Sequence, residues 1–435
     1  MSILRTFKRH FRDFYFAQRR KAKKVVMAAP FWVLVTGIVL TSLGVGRYAF
    51  LTNQRKDQHM ERYWVSDGNI SYRYMSVYAR AARPGGIRTA PVYINQNVSL
   101  NRSDIIQIRT ALQNCADSGN RTANKGGTNP DGRPRGWEDC FSSFLTGSVR
   151  TVLDSTDTNV TSLSSSCDVV AIEGNFTAFH PVMNMSGGFL PEIPVDNRQI
   201  VINDVLSWKL YKSYDVVGNK LLLWGQTFTV IGVVAEPSDA ISRGTGTLDP
   251  RVYIYFTAME ELAPLTDPGN DIGDNQNSSS GNRAPSPSPT TAPAAGETGS
   301  NPSASENTAD VRPDMAVMCY EAMLPEIVRN VAKSDMSNSV TNYTPAEPNF
   351  YLFSNTGRFN VIDTWRFVWP IGKTESLIAP YEFPYWERAA QRTSEHLFAD
   401  EIITVAGVLT LDAGIVMALL RSHARRMSRR ENDFT

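Results

Sequence analysis

The sequence predicts an α+β domain held between two transmembrane helices, and three observations predict it. Two apolar runs, Val25 to Val45 and Ile402 to Leu420, each approach the ~20 residues that cross a bilayer core. Basic residues crowd outside both runs, from Arg5 to Lys24 and from Arg421 to Arg430. Between the runs, short β-rich stretches alternate with helical ones. At 435 residues the chain is long enough for one large or two modest domains. The net charge of +1 gives no overall nucleic-acid footprint.

The basic segment 1–24 precedes a first span over 25–46. The run is too long for a signal-peptide core and no small-residue cleavage pattern follows, so the span is retained. The flanking charge places both termini in the cytoplasm and residues 51–400 outside. Gly37, Gly44 and Gly46, with Thr36, Thr41 and Ser42, give small faces that permit close helix contact. Lipid-tolerant filler explains them equally well.

Residues 47–265 form the first part of the ectodomain. Arg47 to Trp64 lacks Gly and Pro and continues the helix as a stalk. Ser71 to Ala82 reads as a strand, and Ser103 to Cys115 as a helix through Ile105, Ile106, Ile108 and Leu112. Asp117 to Glu138 is a surface loop. Phe141 to Val170 reads as several short strands. Gln199 to Ile202 is a strand, and Asn203 or Asp204 caps the helix after it. Val205, Leu206, Trp208 and Leu210 make that helix's apolar face. Lys220 to Trp224, a Gly225-Gln226 turn and Thr227 to Val234 form a hairpin. Arg251 to Phe256 is a further strand. Residues 266–312 hold almost no large apolar residue and are expected to be a disordered insertion.

Residues 313–400 return to the domain. Met315 to Leu324 re-enters the sheet, and Val361 to Trp369 is a short helix or turn. Pro384 opens a helix. It runs without Gly or Pro from a second stalk into the second span, 401–420, ahead of the basic tail 421–435.

Four cysteines, Cys115, Cys140, Cys167 and Cys319, all lie between the spans. An even count outside the membrane favours two disulfides over buried thiols. Proximity pairs Cys115 with Cys140, and elimination leaves Cys167 with Cys319, one of three possible pairings. Asp412 lies mid-span, where an ionisable residue costs roughly 2.5–3.5 kcal/mol. A contact to another membrane chain is favoured over a tolerated, protonated Asp. The first span offers no basic partner before Arg47. N-x-S/T sequences such as Asn69, Asn97, Asn175 and Asn342 are a weak signal in a chain this rich in Asn, Ser and Thr.

No catalytic, cofactor-binding or metal-binding constellation is evident. The chain has no G-x-x-x-x-G-K-[ST], H-E-x-x-H or G-x-S-x-G. It is read as no enzyme, and any ATP hydrolysis would be a partner's. His180 reads as a structural residue beside a turn rather than a base.

Asp196 to Val234 resembles the extracytoplasmic core domain of MacB-type ABC transporter permeases. The resemblance runs through Ile202, Leu206, Leu210, Tyr211, Asp215, Gly218, Gly225, Phe228, Val230, Gly232 and Val233. The lead-in Gly174 to Leu190, with His180 and Pro181, is similar too. Cys319, Tyr320, Glu321, Leu324 and Pro325 resemble a strand of the short two-span Gram-positive permease chains. So does Pro384-Tyr385-Trp386-Glu387 with Ala389 and Ala390, just before the last span. The resemblance implies a porter-like α/β part with a small β-rich subdomain inserted at about 116–170. It also implies a bacterial plasma-membrane subunit of a MacB-like transporter that works with a separate P-loop ATPase and another membrane chain or a homo-oligomer. The family commonly has four spans and this chain shows two. The alternative is therefore a membrane-anchored scaffold or sensor that keeps the fold without ATP coupling.

Overall fold

The computed structural model describes residues 29–64, 71–79, 100–118, 136–152, 162–263, 314–340, 350–368 and 383–433. The expectations for segment 1–24, for the insertion 266–312, for most of the loop after Ser118 and for Asn69, Asn97 and Asn342 lie outside them.

Helix α1, Ala29–Gln54, is long and apolar enough to cross a membrane. It runs past the expected end of the span, and a 3-10 helix, Lys56–Arg62, completes the first stalk. Strand β1 (Ser71–Ala79) and helix α2 (Arg102–Ser118) follow, both where the sequence predicts them. Strands β2 (Glu138–Thr151) and β3 (Ser164–Gly174) pair along their length, from Cys140 opposite Gly174 to Arg150 opposite Ser164. Next come α3 (Phe176–Phe179), β4 (Met183–Gly187), β5 (Gln199–Asn203) and α4 (Asp204–Tyr211). Asn203 caps α4, its Oδ1 accepting from the Leu206 amide at 3.0 Å. Leu206 and Leu210 are buried, whereas Trp208 points outward, its ring tilted against that of Tyr214 at 5.6 Å.

Strands β6 (Lys220–Leu223) and β7 (Gln226–Ala235) form the expected hairpin, with its turn one residue early. Trp224 and Gly225 both have positive φ, 52° and 74°, as a two-residue turn matched to strand twist requires. Then come α5 (Ala240–Arg243), β8 (Arg251–Tyr255), α6 (Phe256–Leu262), β9 (Cys319–Glu326), α7 (Val331–Ser339), β10 (Phe350–Ser354) and α8 (Val361–Val368). Helix α9, Tyr385–Asp433, joins the second stalk to the second span without a break.

The strands make one ten-stranded sheet in the order β10-β1-β9-β2-β3-β8-β5-β7-β4. Strand β6 pairs with both β7 and β2, so β2, β3, β8, β5, β7 and β6 close into a ring. This α+β architecture is the predicted class. The segment read as short strands of an inserted subdomain is instead the long β2–β3 pair at the centre of the sheet.

Side chains alternate across a strand, and β2 shows what each face carries. Trp137, Asp139 and Phe141 face α2 and α6: Asp139 pairs with Arg109 at 2.6 Å, and Phe141 meets Phe256 at 5.0 Å. Cys140 and Phe144 face the other way, toward α3 and the start of α9, where Phe144 meets Trp386 at 5.5 Å. That second face carries the candidate site.

The alternation also overturns the disulfide expectation. None of the four cysteines is in a disulfide bond. Cys115 lies on α2, over one face, while Cys140 points into the other. Cys319 is next to Tyr320, which reaches Asp139 on the α2 face, so Cys319 points away from it. Cys167 sits opposite Gly147 on the α2 face, and β2 separates its strand from β9. Neither expected pair brings its sulfurs together.

Candidate functional site

The first four turns of the second stalk lie on the sheet with little exposed. Tyr385, Trp386, Glu387, Ala389, Ala390, Gln391, Thr393, Ser394 and Leu397 are all buried. Thr393 and Ser394 return their hydroxyls to the carbonyls of Ala389 and Ala390 in their own helix, at 2.8 and 3.2 Å. The small residues bring the helix close. Three clusters of paired charges pack against it, and each ties the stalk to a different part of the domain.

The first cluster centres on Arg251 of β8. Its guanidinium pairs with Glu236, lies 3.2 Å from Asp168 and sits 3.8 Å over the Tyr385 ring. The Tyr253 hydroxyl donates to Glu236 at 2.8 Å and lies 2.8 Å from the Tyr385 hydroxyl. Burial raises the Glu236 carboxyl, and Arg251 with Tyr253 only partly offsets it.

The second cluster is a bidentate pair. Arg358, in the loop after β10, donates to both Glu387 oxygens at 2.7 Å. Both side chains are 1% exposed. Tyr78 of β1 and Gln391 also donate to Glu387, at 3.1 and 2.9 Å. Arg358 in turn donates to Gln58 of the first stalk at 2.9 Å. One ion pair thus gathers both stalks, the sheet and the loop before α8.

The third cluster sits under Trp386, whose ring lies 4.3 Å from that of His180. His180 Nε2 is 2.6 Å from Glu321 of β9. Glu321 also accepts from Tyr74 at 2.5 Å and Ser76 at 3.3 Å. Burial alone would raise the Glu321 carboxyl, but the His180 charge and these hydrogen bonds outweigh it and hold it low. Burial, then the Glu321 and Asp139 charges, push the Cys140 thiol well up, so it is no nucleophile.

Nearer the membrane, Arg55 of the first stalk donates to Thr393 at 2.9 Å, Ser242 at 2.8 Å and Asp239 at 2.8 Å. Arg47 lies 3.2 Å from Asp400. The two spans then pack through small residues. A Cβ on Gly44 would stand 2.2 Å from Thr404 Oγ1, one on Gly37 2.6 Å from Leu411 Cγ, and one on Gly407 2.6 Å from the Thr41 nitrogen. Gly46 has nothing within 4 Å. The sequence left small-residue contact and lipid filler open. The structure assigns Gly37 and Gly44 to contact within the chain. Asp412 lies off that seam and is exposed.

The sequence singled out His180, Glu321 and Tyr385 to Glu387 through three separate motifs, and the structure brings all of them to one face. It missed Arg358, Arg251, Glu236 and Arg55. Among the described residues no group of three or more His, Cys, Asp or Glu is arranged to hold a metal ion. The arrangement fastens the helix to the sheet through buried polar contacts.

The sequence model of the MacB-like periplasmic core domain matches residues 92–277. No curated protein matches the chain. Among solved structures, the periplasmic region of MacB from Actinobacillus actinomycetemcomitans is 11% identical at a TM-score of 0.34, covering 65% of this chain and 89% of that one. The extracellular domain of the noncanonic ABC-type transporter YknZ from Gram-positive bacteria is 9% identical at 0.33, covering 64% and 99%. A domain of a putative permease protein from Porphyromonas gingivalis is 10% identical at 0.27, covering 68% and 90%. At these scores the likeness rests on the matched domain.

Proposed function

From a MacB-like periplasmic core domain set between two apolar helices, we propose that this chain is a membrane subunit of a MacB-like ABC transporter system. It works with a separate cytoplasmic P-loop ATPase and with another membrane chain or further copies of itself. Both termini lie in the cytoplasm. ATP-driven movement of the spans passes through the two stalks to the ectodomain, for export or other mechanical work outside the membrane. The observation that carries this reading is the Arg358–Glu387 pair. A stalk anchored by a buried bidentate ion pair cannot slide without dragging the sheet, because separating the partners leaves a charge buried and unpaired. Asp412, exposed mid-span, supports a contact with another membrane chain.

The rival reading is a scaffold or sensor with the same fold, favoured by the two apolar helices found among the described residues. Two spans enclose no polar path on their own. Purifying the tagged full chain from its own cells in mild detergent, with mass spectrometry of what comes with it, separates the readings. A P-loop ATPase in fixed ratio supports the transporter subunit. The chain alone, or only with itself, supports the scaffold.

A further inference from the structure

A cleft of about 510 Å³ opens where the first stalk leaves α1. Lys56, His59 and Arg62 line it together with Tyr48, Tyr63 and Phe359. Among the described residues no acidic one lines it. Lys56 and Arg62 are exposed, and among the described residues Arg62 has only its neighbour Glu61 as an ion-pair partner, at 4.0 Å. His59 is only 9% exposed, and its Nδ1 has no hydrogen-bond partner. Its ring stands edge-on to Phe359 at 5.4 Å. Burial first, then the charges of Arg62 and Arg358, lower its pKa to about 4. The cleft therefore carries two exposed cations, Lys56 and Arg62, and no carboxylate among the described residues that line it.

Its position limits what fits. Tyr48 and Thr52 lie on α1 within two turns of residue 46, where the span ends, so the cleft lies just outside the span. Directly after the lining residue Asn360, α8 exposes Val361 at 52% and Ile362 at 65%. Trp365 of the same helix packs on Phe398 of α9 at 4.8 Å. A cationic cleft bordered by an apolar helix edge matches a molecule with an anionic head and an apolar body. A free anion would use the cations and leave the apolar edge uncovered.

We propose that this cleft binds the phosphate of an anionic glycerophospholipid on the ectodomain side of the bilayer, with the exposed edge of α8 seated against the adjoining acyl region. Lys56 and Arg62 hold the phosphate. The site needs only a membrane-inserted chain. It stands or falls independently of any ATPase.

The test is native mass spectrometry of the full chain in detergent with dioleoylphosphatidylglycerol, dioleoylphosphatidylcholine or inorganic phosphate. The expected result is one retained phosphatidylglycerol that phosphatidylcholine does not replace. Lys56→Gln with Arg62→Gln should weaken it about tenfold or more, at an unchanged thermal midpoint. Ile362→Asp should weaken it with both cations in place, which no free-phosphate site would do. Equal retention by wild type and both variants would place the lipid elsewhere and overturn the proposal. Full displacement by inorganic phosphate would show an ion site rather than a lipid site and overturn it as well. So would a protein dimer formed in place of the lipid adduct.

Discussion

Arg358 and Glu387 meet across 29 residues of sequence, and Arg55 reaches Thr393 across 338. Removing one partner of the Arg358–Glu387 pair strands the other charge. Glu387→Ala is expected to cost about 3–5 kcal/mol, read as a fall in the chain's unfolding midpoint in detergent. Glu61 behaves differently. Burial raises its carboxyl to about 7, against the opposing charges of Arg62 and Arg73. The folded state therefore holds a proton that the unfolded state releases near 4.5, and Glu61 lowers stability as pH rises from about 4.5 to 7. Glu61→Gln is expected to raise the midpoint at pH 8 and leave it nearly unchanged at pH 4. An equal gain at both pH values would contradict this. Glu321 runs the opposite way: its depressed pKa contributes stability above the ordinary carboxylate range that is lost on acidification. Alkylation of the denatured, unreduced chain is expected to modify all four cysteines, since strand alternation keeps the expected pairs apart. Of the site, the sequence showed the residues that sit in dense local motifs. Arg358 and Arg251 were invisible because lone arginines in a loop and at a strand start carry no local signal of burial.

At the scale of elements, helices and boundaries were the most legible part. The α2 periodicity, the Asn203 cap and the Pro384 start all appear where residue chemistry places them. The β2–β3 pair was misjudged because Ser142, Ser143 and Ser165 look like surface and turn residues. They are buried in the sheet. The hairpin turn was missed by one residue because Trp224 is not a residue that usually signals a positive φ. The seam between the spans gives a prediction at this scale. Gly44→Leu is expected to overpack it and cost about 1–3 kcal/mol. Gly46→Leu, which meets nothing, is expected to be neutral. Equal effects of the two on the detergent unfolding midpoint would mean that the helices do not pack as described.

At the scale of the whole molecule, two stalks and a sheet are fastened by buried polar contacts. Local opening in proteins follows cooperative units, so these parts should open together. The most direct measurement is amide hydrogen exchange of the full chain in detergent, comparing residues 385–400 with β8 and β9. Stalk and strands are expected to exchange at matching slow rates, and Arg358→Met is expected to release the stalk while the strands stay protected. A wild-type stalk that exchanges far faster than the strands would show that the helix only rests on the sheet, and that movement of the spans stops at the membrane.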